Sequence, residues 1–281
     1  MASREEYWDL ALKIFFIEYN GTEDQYKEVI PVLGEYLYNM LHIHSLYRYR
    51  PDDKWMRDKG IFESDEIWLQ PMSKQNDELE FAFDIDCHSP LDPFLALCPS
   101  CLASLKVATD YMRQSFEDYK NKCLIACFSE SYDNSCLWSG YANSHRGYCI
   151  SYSALEILSK FQCSLLPVIY QNEIPTLTEA LAYTENYRKL LPDYVAYKRI
   201  STKLMRWADE KEWRVIYTLT SNGGNGKAIQ FPKPNAVYLG CDAEEPLESE
   251  IKQICQKKHI PVFKMEKDFI TNKLNAIQIQ G

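Results

Sequence analysis

No stretch of this 281-residue chain approaches the 18 uninterrupted apolar residues that a membrane-spanning helix needs, so no transmembrane segment is expected. The start, Met1-Ala2-Ser3-Arg4-Glu5-Glu6, lacks the charged segment, apolar run and cleavage site of a secretory signal, and the protein is read as cytoplasmic. Long Lys/Arg runs are missing too: Tyr47-Arg48-Tyr49-Arg50 and Lys257-Lys258 are typical of the short basic clusters present. With 40 acidic against 31 basic residues the net charge is −9, a field that repels a nucleic-acid backbone. Internal repeats and low-complexity linkers are also absent. What remains, at 46% hydrophobic and 25% charged, is ordinary globular material.

Two further absences narrow the chemistry. The one Cys-x-x-Cys, Cys98-Pro99-Ser100-Cys101, has no second pair at comparable spacing, as a structural zinc site demands, and no metal is expected. The other cysteines are scattered, several in apolar runs (Cys123, Cys127, Cys149), and are read as core filling rather than disulfides. The glycine-rich Ser221-Asn222-Gly223-Gly224-Asn225-Gly226-Lys227 lacks the phosphate-loop spacing and precedes a strand rather than a helix. It is read as a hairpin turn joining the strand Trp213–Leu219 to the strand Ala228–Phe231.

Apolar spacing predicts a helix from Arg4 to Tyr19, stopped by Asn20-Gly21, and a second from a Thr22/Gln25 capping box toward Leu41, kinked or broken at Pro31. These form an expected N-terminal hairpin, residues 1–43, whose apolar stripe offers a surface to a protein partner. Residues 44–281 then read as one domain of short strands: Leu46–Arg50, Ile67–Gln70, Cys123–Phe128, Gly147–Tyr152, Leu165–Tyr170, Trp213–Leu219, Ala228–Phe231, Ala236–Leu239 and Pro261–Lys264. Capping boxes at Ser153/Glu156 and Thr176/Glu179 announce helices, the second interrupted at Pro192, and another is expected over Pro246–Cys255. Strands outnumber regular strand–helix–strand units. The predicted fold class is therefore α+β, with a mixed, largely antiparallel sheet and flanking helices.

Four polar-aromatic clusters stand out: Leu46-Tyr47-Arg48-Tyr49-Arg50; Gln70-Pro71-Met72-Ser73 through Asn76-Asp77-Glu78-Leu79-Glu80; Cys127-Phe128-Ser129 with Leu137-Trp138-Ser139-Gly140-Tyr141 through His145-Arg146-Gly147; and Trp207 to Tyr217. In these segments and in their order the chain resembles a largely bacterial family catalogued as domain of unknown function 2971. That family's Leu-Tyr-Lys-Tyr-Arg strand is matched by Leu46 to Arg50. Its Asn-Asp-Pro-Phe-Glu loop is matched by Asn76, Asp77 and Glu80 without the Pro-Phe. Its Trp-Ser-x-Tyr-Ala-x-x-His-x-Gly run is matched by Trp138, Tyr141, His145 and Gly147, and its Trp-x-x-Glu-x-Glu-Trp-Arg by Trp207, Glu210, Glu212, Trp213 and Arg214. The resemblance spans about residues 41 to 270. A weaker resemblance is to the ADP-ribosyltransferase fold, which carries an Arg or His on an early strand, an aromatic or Ser/Thr centre, and a late catalytic Glu. Arg50 or Arg48, Ser73 or Tyr141, and Glu212 stand in that order.

That second resemblance implies an enzyme that uses NAD as cofactor on an unidentified acceptor, as a toxin or phage-defence effector. Breaking the nicotinamide–ribose bond builds positive charge on the sugar, which the Glu212 carboxylate would stabilise. Arg50 would fork onto the pyrophosphate, His145 is a candidate base, and Tyr47, Tyr49 or Trp138 could stack on a planar ring. Arg48, Ser73, Asn76, Asp77, Glu80, Tyr141, Glu210 and Arg214 complete the candidate ligand-binding set. Strand alternation puts Glu212 and Arg214 on one face and Trp213, Val215 and Tyr217 on the other. A rival reading treats the same charges as a buried network holding loops in place, within a non-catalytic module that senses a nucleotide or peptide in a bacterial defence system. A third, a metal-dependent nuclease built on Asp77, Glu80, Glu210 and Glu212, is disfavoured by the net charge and by the ligand spacing.

Overall fold

The computed structural model describes residues 3–13, 30–75, 81–84, 99–161, 164–177, 179–180, 191–221, 224–268, 270–271 and 273–281. Asn20-Gly21, the Thr22/Gln25 capping box, Asn76, Asp77, Glu80, Cys98 and the side chain of Cys101 lie outside the described residues. Of the expected N-terminal helices the structure describes α1, Arg4–Lys13, and α2, residues 30–35, which continues into a π-helical turn over Tyr36–Met40; residues 14–29, which would join them as a hairpin, lie outside the described residues. Tyr7 and Tyr36 bring the two together, ring centroids 6.2 Å apart, and the Tyr36 hydroxyl donates to Glu6.

The sheet is mixed and largely antiparallel, as the alternation of short apolar runs predicts. Its strands are β1 (Ser45–Arg50), β2 (Glu66–Pro71), β3 (Cys123–Ser129), β4 (Tyr148–Ser153), β5 (Leu165–Pro167), β8 (Glu212–Thr218), β9 (Lys227–Gln230), β10 (Ala236–Leu239), β11 (Val262–Asp268) and β12 (Lys273–Gln280). They run in the order β12-β11-β10-β4-β1-β3-β2-β9, with β8 on the far edge of β3 and β5 beyond β8. Among the described residues only β10 and β11 pair in parallel in this sheet. The short strands β6 (Ile169–Gln171) and β7 (Thr202–Leu204) form a separate parallel pair.

The expected single strand over Leu165–Tyr170 divides between these two sheets. The Val168 N–H still donates to the Glu212 carbonyl at the start of β8, at 2.9 Å, and the chain then leaves β8, the Ile169 N–H donating to the Ser201 carbonyl at 2.7 Å beside β7. The expected hairpin between Trp213–Leu219 and Ala228–Phe231 is corrected as well: β8 pairs with β3 and β5, while β9 pairs with β2. The glycine-rich connection crosses from one side of β3 to the outer edge of β2 instead of folding back on β8.

Helices cover both faces. They are α3 (Trp55–Glu63), α4 (Pro99–Lys122), α5 (Ser135–Tyr141), α6 (Ala154–Phe161), α7 (Leu191–Ile200) and α8 (Glu245–Lys258). The Thr176/Glu179 capping box is reciprocal: the Thr176 N–H donates to Glu179 Oε2 at 2.9 Å and the Glu179 N–H to Thr176 Oγ1 at 3.2 Å. Helix α4 was not among the sequence predictions, although Met112, Phe116 and Tyr119 repeat at helical spacing along it. Among the described residues no helix is long and apolar enough to cross a membrane.

Alternation sorts the central strands between two cores. Leu46 of β1, Tyr148, Ile150 and Tyr152 of β4, and Val237 and Leu239 of β10 join the main core with Leu124, Trp213 and Ile251. Their neighbours Tyr49, Cys149 and Tyr238 join a second cluster with Leu137, Trp138 and Met265. Both faces of these strands are thus buried, which is why β4 and β10 read as largely apolar runs rather than alternating ones, while β1 carries Arg48 and Arg50 between its aromatic residues. Cys123, Cys149 and Cys255 are free and buried, in keeping with core filling, whereas Cys127 is free but only partly buried and lines a cleft.

Gly147 shows how tightly α5 joins β4. A Cβ there would overlap the carbonyl oxygen of Arg50. Gly147→Ala is expected to cost about 1–3 kcal/mol by overpacking, read as a lower denaturation midpoint. An unchanged midpoint would show that the Arg50 backbone yields freely.

Candidate functional site

Strand β3 is shared unevenly between its neighbours. On one edge β8 pairs with it from Cys123 to Ser129. On the other edge β1 meets it at Tyr47↔Ser129 and β2 meets it at Gln70↔Ile125 and Pro71↔Leu124. Between those points the two strands diverge, and the opening forms a cleft of about 650 Å³. Its walls bring together residues far apart in sequence: Arg48 and Arg50 from β1, Arg57 from α3, Tyr141 from α5, Lys203 from β7, and Trp207, Glu210 and Glu212. Tyr47 and Tyr49 line it as well.

One end is acidic and internally compensated. The Arg214 guanidinium grips Glu212 with both prongs, Nε to Oε1 at 2.8 Å and Nη2 to Oε2 at 3.0 Å, as two residues on one strand face can. Lys203 Nζ lies 2.9 Å from Glu212 Oε2 and donates to Glu210 Oε2 at 2.7 Å. The Tyr141 hydroxyl completes the network, donating to Glu210 Oε1 at 2.7 Å. Burial pushes the Glu212 carboxyl upward, but the Arg214 and Lys203 charges outweigh it and hold the group well below the usual carboxylate range. Burial, followed by the Glu210 charge, raises the Tyr141 phenol, so it stays a protonated donor. Lys211, at φ 45°, closes the 3-10 turn Met205–Glu210 and starts β8, leaving both flanking carboxylates in reach of Lys203.

The other end is basic. Asp58, buried on α3, accepts from Arg50 Nε at 2.6 Å, Arg57 Nε at 2.9 Å and the Tyr148 hydroxyl at 2.9 Å. Burial raises the Asp58 carboxyl, yet Arg50 and then Arg57 bring it below its ordinary value. Arg48 shares the β1 face with Arg50 and donates through Nη2 to the Trp68 carbonyl at 2.7 Å. Burial, then the charge of Arg50, lowers the Arg48 guanidinium to about 10, still far above neutral pH.

Other candidates lie elsewhere. Trp138 is fully buried, its indole donating to the Tyr132 carbonyl at 2.7 Å and its ring against Tyr49, and it is not part of the cleft wall. Arg214, fully buried, stands behind Glu212 rather than on the wall. Ser73 is exposed on the 3-10 turn Met72–Lys74, off the wall. His145 stacks on Trp138 at 6.2 Å, away from the cleft, and burial followed by Lys267 lowers its imidazole. It ends a run of left-handed residues, Asn143, Ser144 and His145 at φ 47°, 54° and 67°, held by the N–H groups of Ser144 and His145 donating to the Ser139 and Trp138 carbonyls. Asn76, Asp77 and Glu80 fall outside the described residues.

Sequence reasoning passed over Lys203, Arg57, Asp58 and, as a site residue, Trp207. Arg57 and Asp58 sit in a helix with no distinguishing motif, and Lys203 lies in a three-residue strand too short for alternation to register. The signal for Lys203 was the excess of carboxylate over cation between Trp207 and Tyr217: a second buried cation was required.

Residues 137–215 match the model of a family described as Protein of unknown function (DUF2971). This segment carries the DUF2971 signature. No curated protein and no solved structure matches the chain. The DUF2971 match runs from α5 through the left-handed turn and β4 to β8, so it holds Tyr141 and the whole acidic end of the cleft. The basic end, on β1 and α3, lies N-terminal to it.

Removing the negative charge of Glu212 leaves Arg214 and Lys203 buried against a neutral partner. Glu212→Gln is expected to lose about 3–5 kcal/mol at neutral pH. Because the folded carboxyl sits below its ordinary value of 4.5, this stabilisation is complete above that pH and is lost as the pH falls toward the folded value. The stability gap between wild type and variant, read from urea titrations, therefore narrows below pH 4.5. A gap independent of pH would contradict the network.

Proposed function

We propose that this chain binds a nucleotide in the cleft between β1 and β3. The observation that carries the reading is polarity along one hollow: guanidinium groups of Arg48, Arg50 and Arg57 at one end, carboxylates of Glu210 and Glu212 at the other, and the rings of Tyr141 and Trp207 on the wall. A nucleotide presents the matching series, an anionic phosphoryl group, hydroxyls that donate to carboxylates, and a planar base that stacks on an indole. The cleft also falls within the usual size range of small-molecule sites.

Glycosyl transfer from NAD is the second reading. It is favoured by the ionised Glu212 carboxylate standing on the same wall as the arginines, where it would face positive charge developing on a ribose. Against it, Arg214 and Lys203 already spend much of that charge within the protein. Nucleotide binding alone needs no such reserve, so it is the primary proposal.

Titration calorimetry with ADP and NAD is expected to show one site per chain, weakened about threefold to tenfold by Trp207→Ala, a partly exposed ring whose loss spares the core. Absence of binding by both nucleotides at millimolar concentration would dispose of the proposal. Chromatography of NAD after incubation separates the two readings: free nicotinamide, lost in Glu212→Gln, supports transfer, and intact NAD supports binding alone.

A further inference from the structure

The basic end of the cleft contains more donors than the protein uses. Arg48 is 8 % exposed, yet its Nη1 has no hydrogen-bond acceptor. Arg50 is held by Asp58 through Nε, and its Nη2 has no acceptor either. Arg57 is likewise held by Asp58 through Nε, with its guanidinium 5.2 Å from the Trp68 ring. A buried guanidinium donor left without an acceptor is unfavourable, and native proteins keep such groups for a reason.

The charges close in a telling way. Arg48, Arg50 and Arg57 bring three positive charges to the wall, and Asp58 returns one negative. Nearby Lys54 is paired with Asp53 at 2.9 Å. Among the described residues, Arg48 has no carboxylate at ion-pair distance, so a surplus of two positive charges remains. A carboxylate ligand would answer half of it. A phosphate monoester dianion or a pyrophosphate answers all of it and accepts from several N–H groups at once. Arg48 and Arg50 stand two residues apart on one strand face, so both guanidinium groups leave β1 on the same side.

We propose that Arg48, Arg50 and Arg57 form a receptor for a doubly charged phosphoryl group, and that Asp58 is its positioning residue. By taking the Nε of both Arg50 and Arg57, Asp58 fixes two guanidinium planes from behind and leaves their terminal nitrogens for the ligand. The Tyr148 hydroxyl, donating to the same carboxylate oxygen as Arg50, locks Asp58 in turn. This rests on the ligand-binding reading of the cleft and names the part of the ligand it recognises; it is independent of any glycosyl transfer.

Calorimetry with inorganic pyrophosphate, ADP and adenosine tests it. Pyrophosphate and ADP bind, and adenosine binds at least about tenfold more weakly than ADP. ADP tighter than pyrophosphate identifies a nucleotide as the source of the phosphoryl group; equal affinities identify the phosphoryl group alone. Arg57→Met, at a half-exposed side chain, weakens pyrophosphate about fivefold or more, with only a small fall in melting temperature because Arg50 and Tyr148 still hold Asp58. Asp58→Asn weakens it about tenfold and Asp58→Glu, which keeps the charge, recovers part of the loss, a pattern that simple loosening of α3 would not give. Should Asp58→Asn fail to fold, Arg57→Met decides alone. Wild-type protein that ignores pyrophosphate, or an Arg57→Met variant that binds it as wild type does, overturns the receptor. Pyrophosphate binding without NAD cleavage strikes only glycosyl transfer, and NAD cleavage that pyrophosphate does not inhibit strikes only the receptor.

Discussion

The divided edge of β3 is the constraint on which the rest of this structure depends. Because β1 and β2 each take one end of that edge, the backbone between them is unzipped from its neighbours and the sheet cannot close. An interrupted ladder inside a large sheet forfeits hydrogen bonds that a continuous one would make. Here the opening is walled by arginine, lysine and carboxylate side chains together with tyrosine and tryptophan rings. The long pairing of β3 with β8 supplies the rigidity that lets the other edge stay open.

Charge is distributed along that opening in two unlike ways. At the acidic end each carboxylate is answered inside the protein: Glu212 by Arg214 and Lys203, Glu210 by Lys203 and Tyr141. Such a network tolerates burial because no charge is left uncompensated. At the basic end compensation is incomplete, with one carboxylate, Asp58, serving two arginines and none serving Arg48 among the described residues. On the proposed reading, the polar interactions that stabilise the fold and the donors left for a ligand separate along one cleft.

Much of the fold was legible in the sequence, for physical reasons that differ by element. β4 and β10, with both faces buried, announce themselves as largely apolar runs, β1 by its alternating tyrosine and arginine side chains, and the Thr176/Glu179 box by reciprocal hydrogen bonding. The pairing of β9 with β2 was not legible, since a glycine-rich connection of the same composition serves a hairpin or a crossover. Within the site, alternation put Glu212 and Arg214 on one strand face, but that they pair with each other was not legible. Asp58 and Lys203 were not legible either, because their importance comes from partners brought in by tertiary folding and not from local pattern. Trp138 and His145 illustrate the converse: they belong to the recognisable motif, yet it uses them to shape the turn that carries Tyr141 to the cleft.

The most direct measurement is a crystal structure of the full chain with ADP. The phosphoryl oxygens are predicted to lie within hydrogen-bond distance of Arg48 Nη1 and Arg50 Nη2, with Asp58 still accepting from the Nε atoms of Arg50 and Arg57. Nucleotide density elsewhere on the surface, with those two nitrogens facing protein acceptors or bulk water, would contradict a ligand site in the open edge of β3.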